Sequence, residues 1–293
     1  MITGVHAIGL RVTDVERAIA VFGAATPLEQ LDAPGPALLR GANVHLELSL
    51  ATSGVAAREV HHAGLAHLCL QQRDIAPLRT VLENGGVRFL SPPVDLGTGF
   101  LYAYGRDPDG LLLETEGAPF APSDPVSWFG HLAFVTPDLK RLAAFYAALI
   151  GRPQARGMRL KGDPKYDAVT GVAGVDLLAG WVPGGNLSLE FWQYLSPATQ
   201  QPPVAAGAPA YTHVTFESDA VEADLAHAVG LGGEPDGPLM RSAEGERARL
   251  RDPDGNSVQL VRWSGEARRF SIDHLPHPDI LDRVRDARGA AAA

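Results

Sequence analysis

Four short stretches of the chain alternate in hydropathy with the period of two expected of strands: HAIGLRV from His6, AHLCLQQ from Ala66, GHLAFV from Gly130 and THVTFES from Thr212. In each, an acidic turn residue follows, at Asp14, Asp74, Asp138 and Asp219. The apolar spacing then changes to that of a helix. In the third copy Leu139, Leu142, Ala143, Phe145 and Tyr146 share one face, and Asp138 is placed to accept from the free N–H groups of the first turn. Each helix leads to further strands. The last of these are NVHLELSL around Glu47, LLLETEG around Glu114, NLSLEFWQYL around Glu190 and NSVQLVRW around Gln259. The chain is therefore read as four copies of one unit: strand, helix, three strands.

A longer period overlies the short one. The first and third units share a helix ending (AIAVF, LAAFY), whereas the second and fourth share RDPDG before the last strand. In RDPDG the Asp tolerates a bent backbone, Pro presets φ and Gly takes a positive φ, which makes it a turn with a mechanism. This alternation predicts a duplicated two-unit domain, with boundaries at 1–118 and 128–264. The Pro-rich APFAPSDPVS links them, and a peripheral, charged and then Ala-rich tail covers 265–293.

A chain of 293 residues that is 45% hydrophobic can bury a large core, and its net charge of −9 without a basic run argues against nucleic acid or an anionic membrane as partner. The single cysteine, Cys69, allows no internal disulfide, and the opening MITGVHAIGLRV lacks the layout of a secretory signal. No stretch reaches the ~20 apolar residues of a membrane span. A cytoplasmic protein, monomer or homodimer, acting on a small molecule is expected.

The repeated unit, the RDPDG turn and the LEL-type closing strands resemble the βαβββ modules of the vicinal oxygen chelate superfamily, which includes glyoxalase I, methylmalonyl-CoA epimerase, extradiol dioxygenases and bleomycin-resistance proteins. The resemblance covers all but the tail. It implies an α+β fold in which four βαβββ modules pair into two cup-like, incompletely closed sheets. It also implies metal ligands on the first and last strands of each module.

Mapped onto this sequence, the first-strand positions are His67 and His131, each seven residues before its turn Asp, and His213, six before Asp219. The first module has Ala7 there. His6 lies one residue early, and a one-residue step on a strand reverses the face, so His6 is rejected unless a bulge restores it. The last-strand positions are Glu47, Glu114, Glu190 and Gln259. A lone His on a strand is ordinarily a hydrogen-bonded core residue, but three of four equivalent positions carry His and three of four carry Glu inside apolar strands. Buried carboxylates are costly unless paired or metal-bound. His61, His62, His274, His277 and Cys69 share no such register and are read as core, surface or tail.

Two module pairings are open. Neighbouring modules would place His131, Glu190, His213 and Gln259 together. Exchange between the halves would bring His67 and Glu114 to His131 and Glu190, and is preferred because it supplies two carboxylates. Imidazoles and carboxylates suit one divalent ion, Fe(II), Zn, Mn, Ni or Co, with Glu190 and Glu114 as candidate proton carriers. Tyr104, Trp181, Phe191, Trp192 and Tyr194 are candidates to line an apolar substrate pocket, and Tyr166, in the loop GDPKYDAV, a candidate lid residue. The function implied is a metal-dependent lyase, isomerase or ring-cleaving dioxygenase acting on vicinal oxygens. The alternative is a metal-free drug- or natural-product-binding protein. The dioxygenase reading lacks the His that the resemblance requires just upstream of Tyr104.

Overall fold

The computed structural model describes residues 1–33, 35–54, 58–202 and 207–291. The first module comprises β1 (Ile2–Val12), α1 (Val15–Ala25), β2 (Glu29–Leu31), β3 (Ala37–Arg40) and β4 (His45–Leu50). The second comprises β5 (Gly64–Gln72), α2 (Ile75–Asn84), β6 (Arg88–Phe89), β7 (Val94–Asp95), β8 (Leu101–Arg106) and β9 (Leu112–Gly117). In the third are β10 (Ser127–Val135), α3 (Leu139–Ile150), β11 (Ala155–Lys161), α4 (Pro164–Thr170), β12 (Asp176–Pro183) and β13 (Ser188–Ser196). The fourth contains β14 (Ala210–Ser218), α5 (Val221–Gly230), β15 (Glu234–Pro235), β16 (Met240–Ser242), β17 (Gly245–Arg251) and β18 (Ser257–Trp263).

Three of the four acidic turn residues cap as their chemistry requires. The carboxylates of Asp14, Asp74 and Asp138 accept from the backbone N–H of Arg17, Ala76 and Arg141. In the fourth module the cap position falls on Ala220, and Ser218 Oγ instead accepts from Ala220 N at 2.9 Å. Within GDPKYDAV a further short helix, α4, forms where a loop was expected, because Asp163 caps it and Pro164 occupies its first turn.

The strands assemble into two open mixed sheets of nine strands each, giving an α+β fold. One runs β15-β17-β18-β14-β1-β4-β3-β2 with β16 on β17, and the other runs β11-β12-β13-β10-β5-β9-β8-β6 with β7 on β8. The modules have thus exchanged. β1 pairs antiparallel with β14, so the first module meets the fourth, and β5 pairs antiparallel with β10, so the second meets the third. Neighbour pairing, one of the two arrangements the sequence left open, does not occur.

The largest apolar cluster draws Ile8, Leu10 and Phe216 from one sheet and Leu68, Phe129 and Phe134 from the other, with Phe22, Leu78, Leu142, Tyr146 and Ala228 from the helices. Burial of that order, at about 25 cal/mol per Å2 of apolar surface, makes the helix–sheet layer the main source of stability. The RDPDG turns tie modules within each half. Asp109 accepts from Thr13 N at 3.1 Å and from Arg17 at 2.7 Å, and Asp254 pairs with Arg141. Part of the tail packs against the linker. Ile280 and Val284 of α6 (Ile280–Ala291) pack with Trp128, Phe100 and the linker residues Ala118 and Ala121.

Candidate metal centre

The joint between β5 and β10 builds the site. Along β5, His67, Cys69 and Gln71 share one face, and in the parallel neighbour β9 the partner of Cys69 is Glu114. On the other side β10 runs parallel to β13, where Glu190 stands opposite Ala133, which itself stands opposite His67. The register slips between Phe129 and Leu132 and again between Ala133 and Phe134. Such bulges re-aim side chains.

Four buried side chains converge here. His131 Nε2 lies 2.7 Å from Glu114 Oε2 and 3.1 Å from Glu190 Oε2, while His67 Nε2 lies 3.1 Å and 3.3 Å from the same two oxygens. The two imidazole nitrogens are themselves 3.3 Å apart. One donor atom from each residue falls within 4.8 Å of all the others. Tyr104 Oη stands 3.4 Å from His67 Nε2.

Electrostatics follow from burial opposed by pairing. Burial pulls the His67 and His131 imidazoles toward the neutral form, but the hydrogen bond of His67 with Glu114 beside the nearby Glu190 carboxylate, and the charge of Glu190 beside His131, outweigh it and raise both. Burial pushes Glu114 and Glu190 up, and the charge of His131 overrides this and holds both below the ordinary range. The group is thus two carboxylates matched by shared protons.

The donor set fits a divalent ion. Two Nε2 atoms facing each other cannot both be satisfied by pointing hydrogens into the same gap. Glu190 Oε2, which approaches both imidazoles, completes no hydrogen bond with either and is otherwise orphaned. A cation at the convergence point would satisfy all four with nitrogen and oxygen donors of the borderline type.

Above the centre opens a cleft of about 500 Å3, counted to its mouth, into which Glu114 and Glu190 reach. Trp192, Tyr104 and Trp181 line it, as do Tyr166, Met158 and Leu160. Among the described residues, no Lys or Arg lines it. Tyr194 lies instead at a smaller adjoining cavity beside His67. Phe191 is not a pocket residue: it points to the opposite face of β13 and stacks on Phe134 at 5.3 Å between ring centroids, as alternation from Glu190 and Trp192 requires.

His213 and Gln259 require correction as companions of His131 and Glu190. They stand on β14 and β18 of the other sheet, where His213 Nε2 is 3.7 Å from Glu47 Oε1. His6 occupies a bulge between Val5 and Ala7, and its Nδ1 lies 3.5 Å from Glu217 Oε2. Among the described residues, the clusters able to hold a metal are the four above and an overlapping one of Cys69, Glu114, Glu116 and His131.

Glu116 escaped the sequence reading. Burial and the charge of Glu114 push it up to about 7, and it accepts from Gln71, which in turn accepts from Trp128 Nε1 at 2.6 Å. Its signal was the spacing of Glu114 and Glu116, two apart in a strand buried on both faces.

The sequence of residues 4–115 matches the glyoxalase/bleomycin resistance protein/dioxygenase superfamily, and residues 131–261 match the glyoxalase-like domain. Among solved structures, the chain is similar to glyoxalase I from Zea mays, at 20% identity and a TM-score of 0.65, over 88% of this chain and 92% of that one. It is also similar to a candidate dioxygenase from Bacillus subtilis, at 14% identity and a TM-score of 0.59, over 97% and 96% of the two chains. No curated protein sequence matches it.

Proposed function

The chain belongs to the glyoxalase/bleomycin resistance protein/dioxygenase superfamily, and on that footing we propose that it is a metal-dependent lyase or isomerase acting on a small, largely uncharged molecule with two neighbouring oxygens. The observation that carries this reading is the convergence of His67, His131, Glu114 and Glu190 on one point, with two carboxylates and an orphaned carboxylate oxygen.

A bound divalent ion would supply Lewis-acid polarisation of a substrate carbonyl or hydroxyl oxygen. The side chains of the cluster do the rest. Glu190 or Glu114, both ionised and both at the floor of the cleft, takes the proton from the carbon next to the carbonyl and returns it to the neighbouring carbon or oxygen. His67 and His131, as neutral ligands through Nε2, would hold the ion and keep the carboxylates in place beside it. The walls of Trp192, Trp181, Met158 and Leu160 exclude water and favour an apolar substrate body.

Two carboxylates distinguish this reading from ring cleavage by oxygen, which in the resembling enzymes uses two His and one Glu with a further His upstream of the tyrosine; here Ala103 precedes Tyr104. The test is solvent deuterium exchange by NMR with acetoin, alongside oxygen uptake with catechol, using protein purified without chelators. Deuterium incorporation that disappears in Glu190→Gln or Glu114→Gln, without oxygen uptake, is expected. Oxygen consumption with catechol, or protein without bound metal, would overturn the assignment.

A further inference from the structure

The sheet formed by the first and fourth modules has a cup of its own, of about 580 Å3 counted to its mouth, and it differs in kind from the metal centre. Register makes the comparison direct. Gly9 stands opposite Glu47 and Thr215 opposite Gln259, where the other sheet sets Ala133 opposite Glu190 and Cys69 opposite Glu114. Ala7 removes one imidazole and Gln259 one carboxylate, and no three metal-capable residues converge here among the described residues.

The cup is nonetheless built of polar groups that lack partners. Thr215 is 4% exposed, lines the cup, and its Oγ1 has no hydrogen bond. Trp263 Nε1, likewise buried and unsatisfied, belongs to a ring that carries the Arg247 guanidinium 4.6 Å from its centroid. Arg247 has no carboxylate partner among the described residues, although it lines the same cup as Glu47. His6 is only 3% exposed and turns inward through the bulge. Leaving buried donors unmade costs about 1–3 kcal/mol each, so Thr215 Oγ1 and Trp263 Nε1, dry and unpaired in a concave site, are placed for a ligand, with the solvent-exposed Arg247 beside them.

The inventory selects the ligand class. Arg247, Thr215, Trp263 and Gln259 offer donors, which suits a carboxylate. Glu47 offers the acceptor, held below the ordinary carboxylate range by the nearby His213 imidazole, 3.7 Å away, which outweighs burial, and it needs a hydroxyl or ammonium on the same molecule. Gly9 holds this arrangement open, because a Cβ there would sit 2.2 Å from the His213 ring. We propose that this second cup is a metal-independent binding site for a small 2-hydroxy- or 2-amino-carboxylate, with Arg247 and Thr215 on the carboxylate and Glu47 on the neighbouring group.

Titration calorimetry with mandelate, phenylglycine and phenylacetate tests this, since the three differ mainly in the group at carbon 2. The unaltered chain and His131→Ala are both titrated, the latter to separate any binding at the metal centre. Saturable binding of mandelate or phenylglycine is expected in His131→Ala, with phenylacetate at least fivefold weaker. Adding Arg247→Met should weaken it at least tenfold, and Thr215→Val about fivefold. If His131→Ala does not fold, the Arg247→Met comparison in the unaltered chain decides. Absence of saturable binding, equal binding of phenylacetate, loss of all binding in a folded His131→Ala, or indifference to Arg247→Met would each overturn the proposal.

Discussion

His131 Nε2 sits 2.7 Å from Glu114 Oε2, although one belongs to the third module and the other to the second, on opposite sides of the Pro-rich linker. The contact exists because β10 and β5 pair across the two halves of the chain. Each half therefore contributes one imidazole and one carboxylate to the centre, and neither half alone carries the set.

The degenerate cup gives a constructive check on that logic. Ala7→His combined with Gln259→Glu would restore the two ligand types missing beside His213 and Glu47. The metal content of this double variant should rise from one toward two ions per chain. Unchanged stoichiometry in a folded variant would show that ligand identity alone does not make the site.

His45 predicts how stability falls in acid. Its Nδ1 donates to the His6 carbonyl at 3.0 Å, while Nε2 is buried without a partner. Burial, with the charge of His6 adding to it, lowers its pKa to about 3. A base lowered on folding costs nothing above its unfolded value near 6.5, and below that the unfolded chain binds the proton first. Stability should therefore decline as pH falls from about 6.5 toward 3, with a limiting slope of about 1.4 kcal/mol per unit from this residue. His45→Gln keeps a donor and cannot titrate, so its denaturation free energy should fall less steeply than the wild type's between pH 6 and 4. Parallel profiles would contradict the assignment.

The RDPDG turns are predicted to hold modules together unequally. Asp109 is 3% exposed and accepts from backbone and side chain of Thr13 as well as Arg17. Asp109→Ala strands a backbone donor and should cost about 2–3 kcal/mol in chemical denaturation. Asp254→Ala, which removes a contact to a half-exposed Arg141, should cost less than half of that.

Two neighbouring aromatic residues of β13 and β12 should separate packing from binding. Phe191→Ala removes a fully buried ring from the helix–sheet core and should destabilise by about 3–5 kcal/mol. Trp181→Ala, at the half-buried cleft wall, should cost clearly less stability and raise KM for any substrate that turns over. Equal destabilisation would mean that Trp181 is core, not pocket.

Much of this was legible in the residues. The His67 and His131 register, the Glu114 and Glu190 positions and the RDPDG turns recur at fixed offsets, and periodicity exposes them. Pairing was harder, because neighbour and exchanged arrangements bury the same strand faces; only the second carboxylate favoured exchange. The bulge that turns His6 inward depends on pairing with β14, a long-range event that local alternation does not encode. Glu116 stands outside the repeated offsets, and only the burial of both faces of β9 brings it out. Helix α4 was missed because its cap, Asp163, and its apolar residues span barely two turns.

His67, Glu114, His131 and Glu190 are predicted to hold one divalent ion. The direct measurement is elemental analysis of chelator-free preparations of the wild type and of His67→Ala, Glu190→Ala and His213→Ala, each checked for native circular dichroism. One ion per chain is predicted in the wild type and in His213→Ala, and less than a tenth of that in His67→Ala and Glu190→Ala. Full metal occupancy in folded His67→Ala and Glu190→Ala, or its loss only in His213→Ala, would contradict it.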